Sequence, residues 1–335
     1  MTVEPDPRFE GQNVVITGAG GFLGSQLGRS LSLSAGQLVR VARNPLPPMP
    51  DAATDVDDIQ GDIRDPNLWQ RVFDRQVDVV FHLAGQTDLR HSLADPMEDL
   101  DINTMATLRL LEGARRSGQC PAVVFASTAT TAGVSHTTPV DESGRERPLS
   151  IYDANKLQSE NYLRIFATEG YISGASLRLT NVFGAGHTRT GTNRGILDRV
   201  LDRALKGETV RIFEPGNWLR DYVFVDDVIA AFQAAGSESS NLKGDSYLVG
   251  SGVGTPLADA FQLVSNIAQE ATGVEVPIMF VEPPEPLHPV EERNFIANTD
   301  ALHRDTGWSC KWSLEDGLRE TLRRRKEQGN IGLES

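Results

Sequence analysis

Apolar and polar residues follow one another in the first half of the chain in a pattern that predicts alternating strands and helices. Short apolar runs at residues 14–17, 38–42, 77–83, 122–126 and 176–179 have the length and continuous hydrophobicity of strands that are buried on both faces. The segments between them have helical periodicity or turn residues. Because right-handed crossovers connect strands of this kind, the pattern predicts an α/β fold built on a doubly wound parallel sheet.

The segments between the strands set the positions of candidate site residues. We expect helices from residue 21 to about 34, over 96–117 with Gly118 as its stop, and up to about residue 169 around Tyr152. The prolines and acidic residues of segment 44–58 indicate a surface loop.

A glycine-rich loop, TGAGGFLG, joins the first strand to the first helix. Gly18 permits the tight turn, Gly21 lets the backbone approach a pyrophosphate at the helix N-terminus, and Gly24 allows close packing of helix on strand. We expect Phe22 and Leu23, in the same loop, to contact the cofactor as well. The loop between strand and helix predicts a dinucleotide site in a Rossmann fold.

The end of the second strand bears on the identity of the dinucleotide. An NAD site usually has an acidic residue there, which binds the ribose hydroxyls. This chain has Ala42 followed by Arg43, whose guanidinium can hold a 2′-phosphate. The residues therefore favour NADP(H), with NAD(H) as the alternative.

Two further motifs follow later strands. In GDIRD, Asp62 is placed to accept a hydrogen bond from the adenine amine, and Ile63 to pack on the ring. In HLAG, we expect Leu83, Ala84 and Gly85 to lie at the end of a strand and to leave room for the cofactor.

Tyr152 and Lys156 are four residues apart in YDANK, so they share one face of a helix. A nearby ammonium favours a phenolate, and we expect it to lower the pKa of the tyrosine from about 10 toward neutrality, as proton transfer at physiological pH requires. The lysine can also hydrogen-bond a ribose. Thr128, at the carboxyl end of the AVVFA strand, completes a candidate triad. Asn103 begins a helix in our interpretation, as an N-cap or as part of a water relay beside the cofactor.

The second half of the chain is less regular. We expect helices at 195–205, 226–235, 256–272 and 314 to about 327, short strands near 210–213, 246–249 and 278–281, and loops over a pocket at 184–193 and 281–293. Residues 1–180 are therefore expected to form the dinucleotide-binding domain with the catalytic helix. Residues 181–335 are expected to form a smaller mixed region that mainly binds substrate, with some segments returning to the Rossmann core.

The composition and net charge argue against several kinds of partner. The 335 residues are 39% hydrophobic and 23% charged, as is ordinary for a soluble globular protein, and the net charge is −14. Such a charge argues against nucleic acids and anionic membrane surfaces as partners. Cys120 and Cys310 have no metal or redox spacing, so we expect reduced thiols and no metal site. With no signal-peptide pattern and no apolar run near the ~20 residues of a membrane span, we expect a cytoplasmic protein.

Six motifs, in order, resemble the extended short-chain dehydrogenase/reductase family, whose members act mostly on nucleotide sugars. They are TGAGGFLG, GDIRD, HLAG, YDANK, LRLTNVFG and RDYVFVDDV, and the resemblance runs from about residue 13 to 322. It implies that Thr128 is the hydroxyl partner, Tyr152 the acid/base, and Lys156 the ribose and pKa partner.

The resemblance also implies substrate contacts. Asn181, Arg220 and Arg293 resemble residues that contact the substrate's diphosphate, a group that arginine can bind in bidentate fashion. Thr87, just after HLAG, is expected to contact the substrate too. We further expect a homodimer.

Departures from the family pattern separate the possible reactions. Thr128 is followed by Ala129 and Thr130 rather than by the acidic pair of the family's dehydratases, and the decarboxylases' glutamate is absent from GQTDLRHS. Segments such as TGWSCKWSLEDGLRETL are similar to 4-ketoreductases of dTDP-4-keto-6-deoxysugars. We therefore expect NADPH-dependent reduction of a nucleotide-linked 4-keto-6-deoxyhexose. The alternatives are an NAD-dependent UDP-hexose 4-epimerase and, more distantly, a dinucleotide sensor without catalysis.

Overall fold

The computed structural model describes residues 5–135, 137–186, 195–284 and 286–327. The strands are β1 Asn13–Thr17, β2 Gln37–Ala42, β3 Asp55–Gln60, β4 Val79–His82, β5 Ala122–Thr128, β6 Ser173–Leu179, β7 Asn181–Phe183, β8 Val210–Phe213, β9 Leu219–Phe224, β10 Ser246–Val249, β11 Gly254–Pro256 and β12 Ile278–Val281. The α-helices are α1 Phe22–Leu31, α2 Pro66–Phe73, α3 Leu89–Ala94, α4 Pro96–Leu100, α5 Ala106–Ser117, α6 Ile151–Thr168, α7 Ile196–Ala204, α8 Val225–Ser237, α9 Ser239–Leu242, α10 Leu257–Thr272, α11 Asp300–Thr306 and α12 Leu314–Glu327. Short 3₁₀ turns form at Pro7–Phe9 and Ala129–Ala132, and a π-helical turn forms at Asp101–Met105.

Seven parallel strands form the central sheet in the order β3-β2-β1-β4-β5-β6-β10. Successive apolar residues of each inner strand enter opposite cores: Val14 and Ile16 pack on the side of α1 and α8, whereas Val15 packs on the side of α2, α5 and α6. This burial on both faces explains the unbroken apolar runs. The predicted α/β fold with a doubly wound parallel sheet is confirmed.

The carboxyl ends of the inner strands meet at one edge of the sheet. Thr17 at the end of β1 pairs with His82 at the end of β4. His82 in turn pairs with Phe125 of β5, and β5 continues for three more residues to Thr128. The loops that follow these strands therefore converge, which brings distant motifs to one place.

Two small sheets lie in the second half of the chain. One has the order β11-β9-β7 and the other pairs β12 with β8. The chain then returns to the large sheet, because β10 pairs in parallel with β6 as its outermost strand.

The prediction of a surface loop over residues 44–58 is wrong in its last part, where β3 begins at Asp55. Of its six residues, DVDDIQ, only Ile59 is fully buried. The strand lies at the edge of the sheet, so acidic side chains point to solvent without disturbing the pairing, and Asp58 binds Arg40 on the neighbouring strand at 2.7 Å.

The helix expected over residues 96–117 is interrupted. The π-helical turn Asp101–Met105 separates α4 from α5, and Gly118 ends α5 in the left-handed conformation at φ 71°. Asn103 lies inside that turn, so its interpretation as a helix N-cap is wrong. The N-cap of α4 is Asp95, whose carboxylate accepts from the Glu98 N–H.

Candidate active site

The glycine loop after β1 passes very close to the loop after β4. Gly18 has a φ of +68°, and a Cβ at this position would lie 2.8 Å from the backbone nitrogen of Ala84. A Cβ on Gly24 would collide with the carbonyl oxygen of Gly18. Gly21 is the N-cap of α1, and no side chain of the described residues caps this end. The first N–H groups of α1 are thus left for an anionic ligand.

A cleft of about 380 Å³ opens beside this loop. Most of the predicted cofactor residues line it, namely Gly18, Gly21, Phe22, Leu23, Gly24, Arg43, Asp62, Ile63, Leu83, Ala84 and Gly85, together with Thr87. Two predicted cofactor residues lie directly behind its wall, since a Cβ on Gly85 would be 2.9 Å from Asn103 Oδ1 and 3.1 Å from Lys156 Nζ. The structure therefore brings the predicted cofactor residues together.

The end of the cleft near Arg43 and Asp62 has two charged features. Arg43 is exposed at the rim, immediately after the last residue of β2. Asp62 is held by Arg64, whose Nε lies 3.0 Å from Oδ1 and whose Nη2 lies 2.7 Å from Oδ2. This ion pair holds the pKa of Asp62 below its usual range. The sequence analysis missed Arg64, and the role of Asp62 toward adenine stays a prediction.

Lys156 is buried on α6, with 4% of its surface exposed. Its Nζ donates to the carbonyl oxygen of Ala126 at 3.0 Å and lies 4.5 Å from the centroid of the Phe125 ring. The distance from Nζ to the Tyr152 ring centroid is 5.9 Å, which confirms that both side chains share one face of the helix. Burial lowers the pKa of Lys156 to about 8.

The predicted lowering of the pKa of Tyr152 is wrong for this structure. Burial raises the pKa of the phenol above its ordinary value of about 10, and the carboxylates of Asp153 and Asp99 act in the same direction. The Thr128 hydroxyl opposes these effects on the pKa without outweighing them. The phenol is desolvated, and the nearby ammonium donates to a backbone carbonyl, so Tyr152 holds its proton firmly.

Two threonine hydroxyls, at the end of β5 and just after it, lead to a buried carboxylate on α6. Thr128 Oγ1 lies 2.8 Å from Thr130 Oγ1, and Thr130 donates in turn to Oδ1 of Asp153. Asp153 is fully buried, and its other oxygen has no hydrogen-bond partner among the described residues. The sequence analysis missed this acid, although its place directly after the tyrosine in YDANK was a signal.

Asn103 fixes the backbone beside the cofactor cleft. Its Oδ1 accepts from the N–H of Gln86 at 3.1 Å, and its Nδ2 donates to the Gln86 carbonyl and to Asp99 Oδ1, both at 3.0 Å. The other oxygen of Asp99 accepts from Asn155 at 2.7 Å. The amide of Asn103 therefore holds the loop after HLAG in place, and its expected part in a water relay stays a prediction.

Ser127 and Thr128 have different partners. Ser127 donates to Glu160, which is also bound by Arg178 at 2.6 Å in an ion pair that is almost fully buried. The hydroxyl of Ser127 is thus engaged by this ion pair, whose arginine lies on β6. Thr128, one residue later, has its hydroxyl 2.8 Å from Thr130 Oγ1, and it acts to lower the pKa of Tyr152.

His82 is a buried, neutral ring that supports the loop lining the cleft. Burial lowers its pKa to about 3, and its two nitrogens lie 2.8 Å from Thr17 Oγ1 and 3.2 Å from Thr107 Oγ1. The Thr17 hydroxyl also accepts from the Ala84 N–H at 3.2 Å. The histidine of HLAG therefore ties α5 and β1 to the loop that lines the cleft.

The two predicted substrate arginines lie together. Arg220 donates to the carbonyl oxygens of Arg293 and Glu291, and Arg293 donates to the Gly133 carbonyl at 3.1 Å and stacks over Phe295. Burial, and then the charge of Arg220, lowers the pKa of Arg293 to about 10. Two cations thus converge next to the 3₁₀ turn that follows Thr128.

The other two predicted substrate residues lie on different elements. Asn181 begins β7, and its amide donates to the carbonyl of Asp221, the residue after Arg220, at 2.9 Å. Thr87 is exposed on the cofactor cleft. The loop expected at 184–193 lies outside the described residues from 187 onward.

Residues 14–250 match the NAD dependent epimerase/dehydratase family. The chain belongs to this family. The predicted membership of the extended short-chain dehydrogenase/reductases is confirmed, and so is the prediction of an enzyme of that type. Among the described residues no helix is long and apolar enough to cross a bilayer, and no group of three or more metal-binding side chains could hold a metal ion.

Several members of the family are similar over nearly the whole chain. The UDP-glucose 4-epimerase of Mycolicibacterium smegmatis is 29% identical over 92% of this chain and 96% of its own length. The UDP-glucose 4-epimerase of Thermotoga maritima, solved with UDP-glucose, has 27% identity and a TM-score of 0.82 over 95% of this chain and 99% of its own. MoeE5, solved with UDP-glucose and NAD, has 28% identity and a TM-score of 0.80 over 94% of this chain and 99% of its own.

Proposed function

We propose that the protein is an NAD-dependent 4-epimerase of a nucleotide-linked hexose, with a UDP-hexose as the first candidate. The observation that carries the proposal is the group of buried Tyr152 and Lys156 with half-buried Thr128 beside a dinucleotide cleft, in a chain that resembles UDP-glucose 4-epimerases over 92% of its length. The similarity favours this alternative over the 4-ketoreductase that we expected from sequence segments. We also propose that the region from residue 181 onward mainly holds the substrate.

The cleft fits a dinucleotide. The glycine loop packs so closely against neighbouring backbone that Gly18 and Gly24 leave no room for a side chain. The uncapped N-terminus of α1 suits a pyrophosphate. Asp62 and Ile63 would hold the adenine and Lys156 the ribose. When bound, the nicotinamide supplies the group that accepts a hydride from the sugar and gives it back.

Tyr152 would carry the proton in this reaction. It takes a proton from the 4-hydroxyl while the sugar is oxidised. It returns the proton to the ketone oxygen after the sugar has rotated to present its opposite face. The raised pKa of the phenol suits the second step, in which it donates. Arg220 and Arg293 would hold the diphosphate throughout, because that group does not react.

One observation favours a second candidate, an NADPH-dependent 4-ketoreductase. No acid follows β2, and Arg43 stands exposed at the rim of the cleft instead. If the guanidinium binds a 2′-phosphate, changing Ala42 to Asp and Arg43 to Asn should shift preference from NADPH to NADH about ten- to a hundredfold, since such a contact contributes roughly 1.5–3 kcal/mol.

The two candidates differ in what happens to the cofactor. An epimerase interconverts UDP-glucose and UDP-galactose without added cofactor, and denaturation of the purified protein releases NAD. A 4-ketoreductase consumes NADPH stoichiometrically with a nucleotide-linked 4-keto-6-deoxyhexose. Consumption of NADPH in the second assay together with no interconversion in the first would overturn the proposal.

The role of Tyr152 has its own test. Tyr152→Phe should lower turnover by about 10²–10⁴-fold, because a positioned acid/base is lost, while cofactor binding stays near that of the wild type. Tyr171→Phe is the matched control, since Tyr171 is exposed on the surface. If Tyr152→Phe keeps more than about half of the wild-type rate, the assignment is wrong.

A further inference from the structure

Asp99 is a fully buried carboxylate at the junction of three segments that border the site. Its Oδ1 accepts from Gln86 Nε2 at 2.7 Å and from Asn103 Nδ2 at 3.0 Å, and its Oδ2 accepts from Asn155 Nδ2 at 2.7 Å. Gln86 belongs to the loop after β4, Asn103 to the π-helical turn, and Asn155 to α6. One side chain therefore ties the loop of the cofactor cleft to the helix that carries Lys156.

The hydrogen bonds of this junction require an acceptor at position 99. The Nε2 group of Gln86 donates to the Asp88 carbonyl as well as to Asp99. The Nδ2 group of Asn103 donates to the Gln86 carbonyl as well as to Asp99, and its Oδ1 accepts from the Gln86 N–H, which fixes the orientation of the amide. A carboxylate only accepts, so it suits three amide donors, whereas an amide at position 99 would direct its own NH₂ group at one of them.

The junction lies against the ammonium of Lys156. A Cβ on Gly85 would be 2.9 Å from Asn103 Oδ1 and 3.1 Å from Lys156 Nζ, so the loop, the π-helical turn and the lysine meet at this glycine. Thr104, in the same turn, donates from Oγ1 to the carbonyl of Asn155, the residue before Lys156, at 3.1 Å. A shift of the junction would therefore move Lys156 relative to the cofactor cleft.

We propose that Asp99 is a positioning residue for cofactor binding, which holds Lys156 against Gly85 and supplies a negative charge that faces the ammonium. The inference rests on the proposed role of Lys156 toward the cofactor ribose. Glu160, another carboxylate near Lys156, is in an ion pair with Arg178, whereas the carboxylate of Asp99 is bound only by amides among the described residues. The charge of Asp99 is thus left to act on Lys156, which in turn makes its own burial less costly.

The titratable groups that face the ammonium lie on three elements. They are Asp99 on α4, Glu160 and Tyr152 on α6, and the neutral ring of His82 on β4. Burial lowers the pKa of Lys156 to about 8, and the two carboxylates act against burial. Because the ammonium is the form that donates to a ribose, NAD affinity should fall as pH increases above about 8.

Titration of the cofactor-free protein with NAD and with AMP tests the proposal. Asp99→Asn should weaken NAD binding by about tenfold or more near pH 7.5, because one amide donor loses its acceptor. AMP affinity should stay within about twofold, since AMP would occupy only the part of the cleft near Arg43 and Asp62. Asp101→Asn is the control, because Asp101 pairs with Arg109 at 2.7 Å on the surface, and it should bind both ligands as the wild type does.

The pH profile separates the charge from a loss of structure alone. In Asp99→Asn, the fall in NAD affinity should begin about one pH unit lower than in the wild type, because a carboxylate that favours the ammonium is gone. A variant that has only lost local structure would bind NAD more weakly by the same factor at every pH. An unshifted profile would overturn the proposed action of the charge.

A double variant supplies the rescue. In Asp99→Asn combined with Asn155→Asp, the side-chain oxygen at position 99 still accepts from Gln86 and Asn103, and its NH₂ group donates to the carboxylate at position 155. All three bonds and the negative charge are kept, so NAD affinity and its pH profile should return to within about threefold of the wild type. A double variant that binds NAD as weakly as Asp99→Asn would overturn the proposal, and so would an Asp99→Asn variant within about threefold of the wild type.

Two further measurements cover the other outcomes. If Asp99→Asn does not fold, Asn155→Ala, which removes only the link to α6, should weaken NAD about tenfold, and an unchanged affinity would refute the inference. Hydrogen exchange of residues 85–88 without cofactor should be about tenfold faster in Asp99→Asn and normal in the double variant, and unchanged exchange would overturn the positioning role. If the wild type does not bind NAD, the proposed function fails, and hydrogen exchange alone judges whether Asp99 holds the loop.

Discussion

Lys156→Met should change how the stability of the enzyme depends on pH. Burial holds the pKa of Lys156 at about 8, against 10.5 for an ordinary lysine. Between these values the unfolded chain binds a proton that the folded protein does not, so stability increases with pH in this window. The stabilisation is fully present above about pH 10.5 and is lost as pH falls through about 8. The difference between the two pKa values corresponds to about 3 kcal/mol.

The assay is urea unfolding of the cofactor-free wild type and variant at about pH 7 and pH 10. Both proteins share the other titrating groups, so their difference in unfolding free energy isolates Lys156. The lost hydrogen bond to Ala126 adds an offset of about 1–3 kcal/mol that is similar at both pH values. We expect the difference to move by about 2.5 kcal/mol in favour of the wild type from pH 7 to 10.

Lys206→Met is the control, because Lys206 is exposed at the end of α7. Its stability difference from wild type should stay constant within about 0.5 kcal/mol over the same range. A constant difference for Lys156→Met as well would refute the reasoning, since the lysine would then titrate alike in the folded and unfolded states.

Three further substitutions test the site and its support. Gly18→Ala should weaken NAD binding at least tenfold more than Gly11→Ala in a titration, because both have positive φ but only Gly18 lacks room for a Cβ; equal losses would contradict this. Arg178→Met should lower the urea unfolding free energy by about 3–5 kcal/mol, since it leaves Glu160 charged and buried, and adding Glu160→Gln should recover much of the loss. Arg220→Met should raise KM for a UDP-hexose more than it lowers kcat, and unchanged UDP affinity would remove this arginine from the site.

The parts of the fold that sequence analysis predicted are those in which one physical requirement decides the pattern. Strands buried on both faces must be apolar throughout, so β1, β4 and β5 stand out. Gly18 and Gly24 lie where a side chain does not fit, which makes their spacing informative. Because parallel strands end at the same edge, motifs far apart in sequence were correctly expected to meet.

The parts that sequence analysis missed depend on tertiary contacts. Spacing placed Tyr152 beside Lys156 but could not show that both would be desolvated, so the direction of the tyrosine's pKa was wrong. Thr130 and Asp153 are 23 residues apart and meet only because the turn after β5 packs on the start of α6. Asp55–Gln60 looked like a loop because an edge strand tolerates acids that an inner strand would not.

The position of β10 has a consequence for how the protein is made. The last strand of the nucleotide-binding sheet comes from residues 246–249, after most of the second half of the chain has been synthesised. A nascent chain that has emerged only to residue 180 exposes the free edge of β6 and the sheet face that α8 later covers. Such an edge pairs readily with other chains, so the nascent chain carries an incomplete, aggregation-prone sheet until β10 has been synthesised. The seven-stranded sheet consequently cannot be completed before residues 246–249 of the second half of the chain are available.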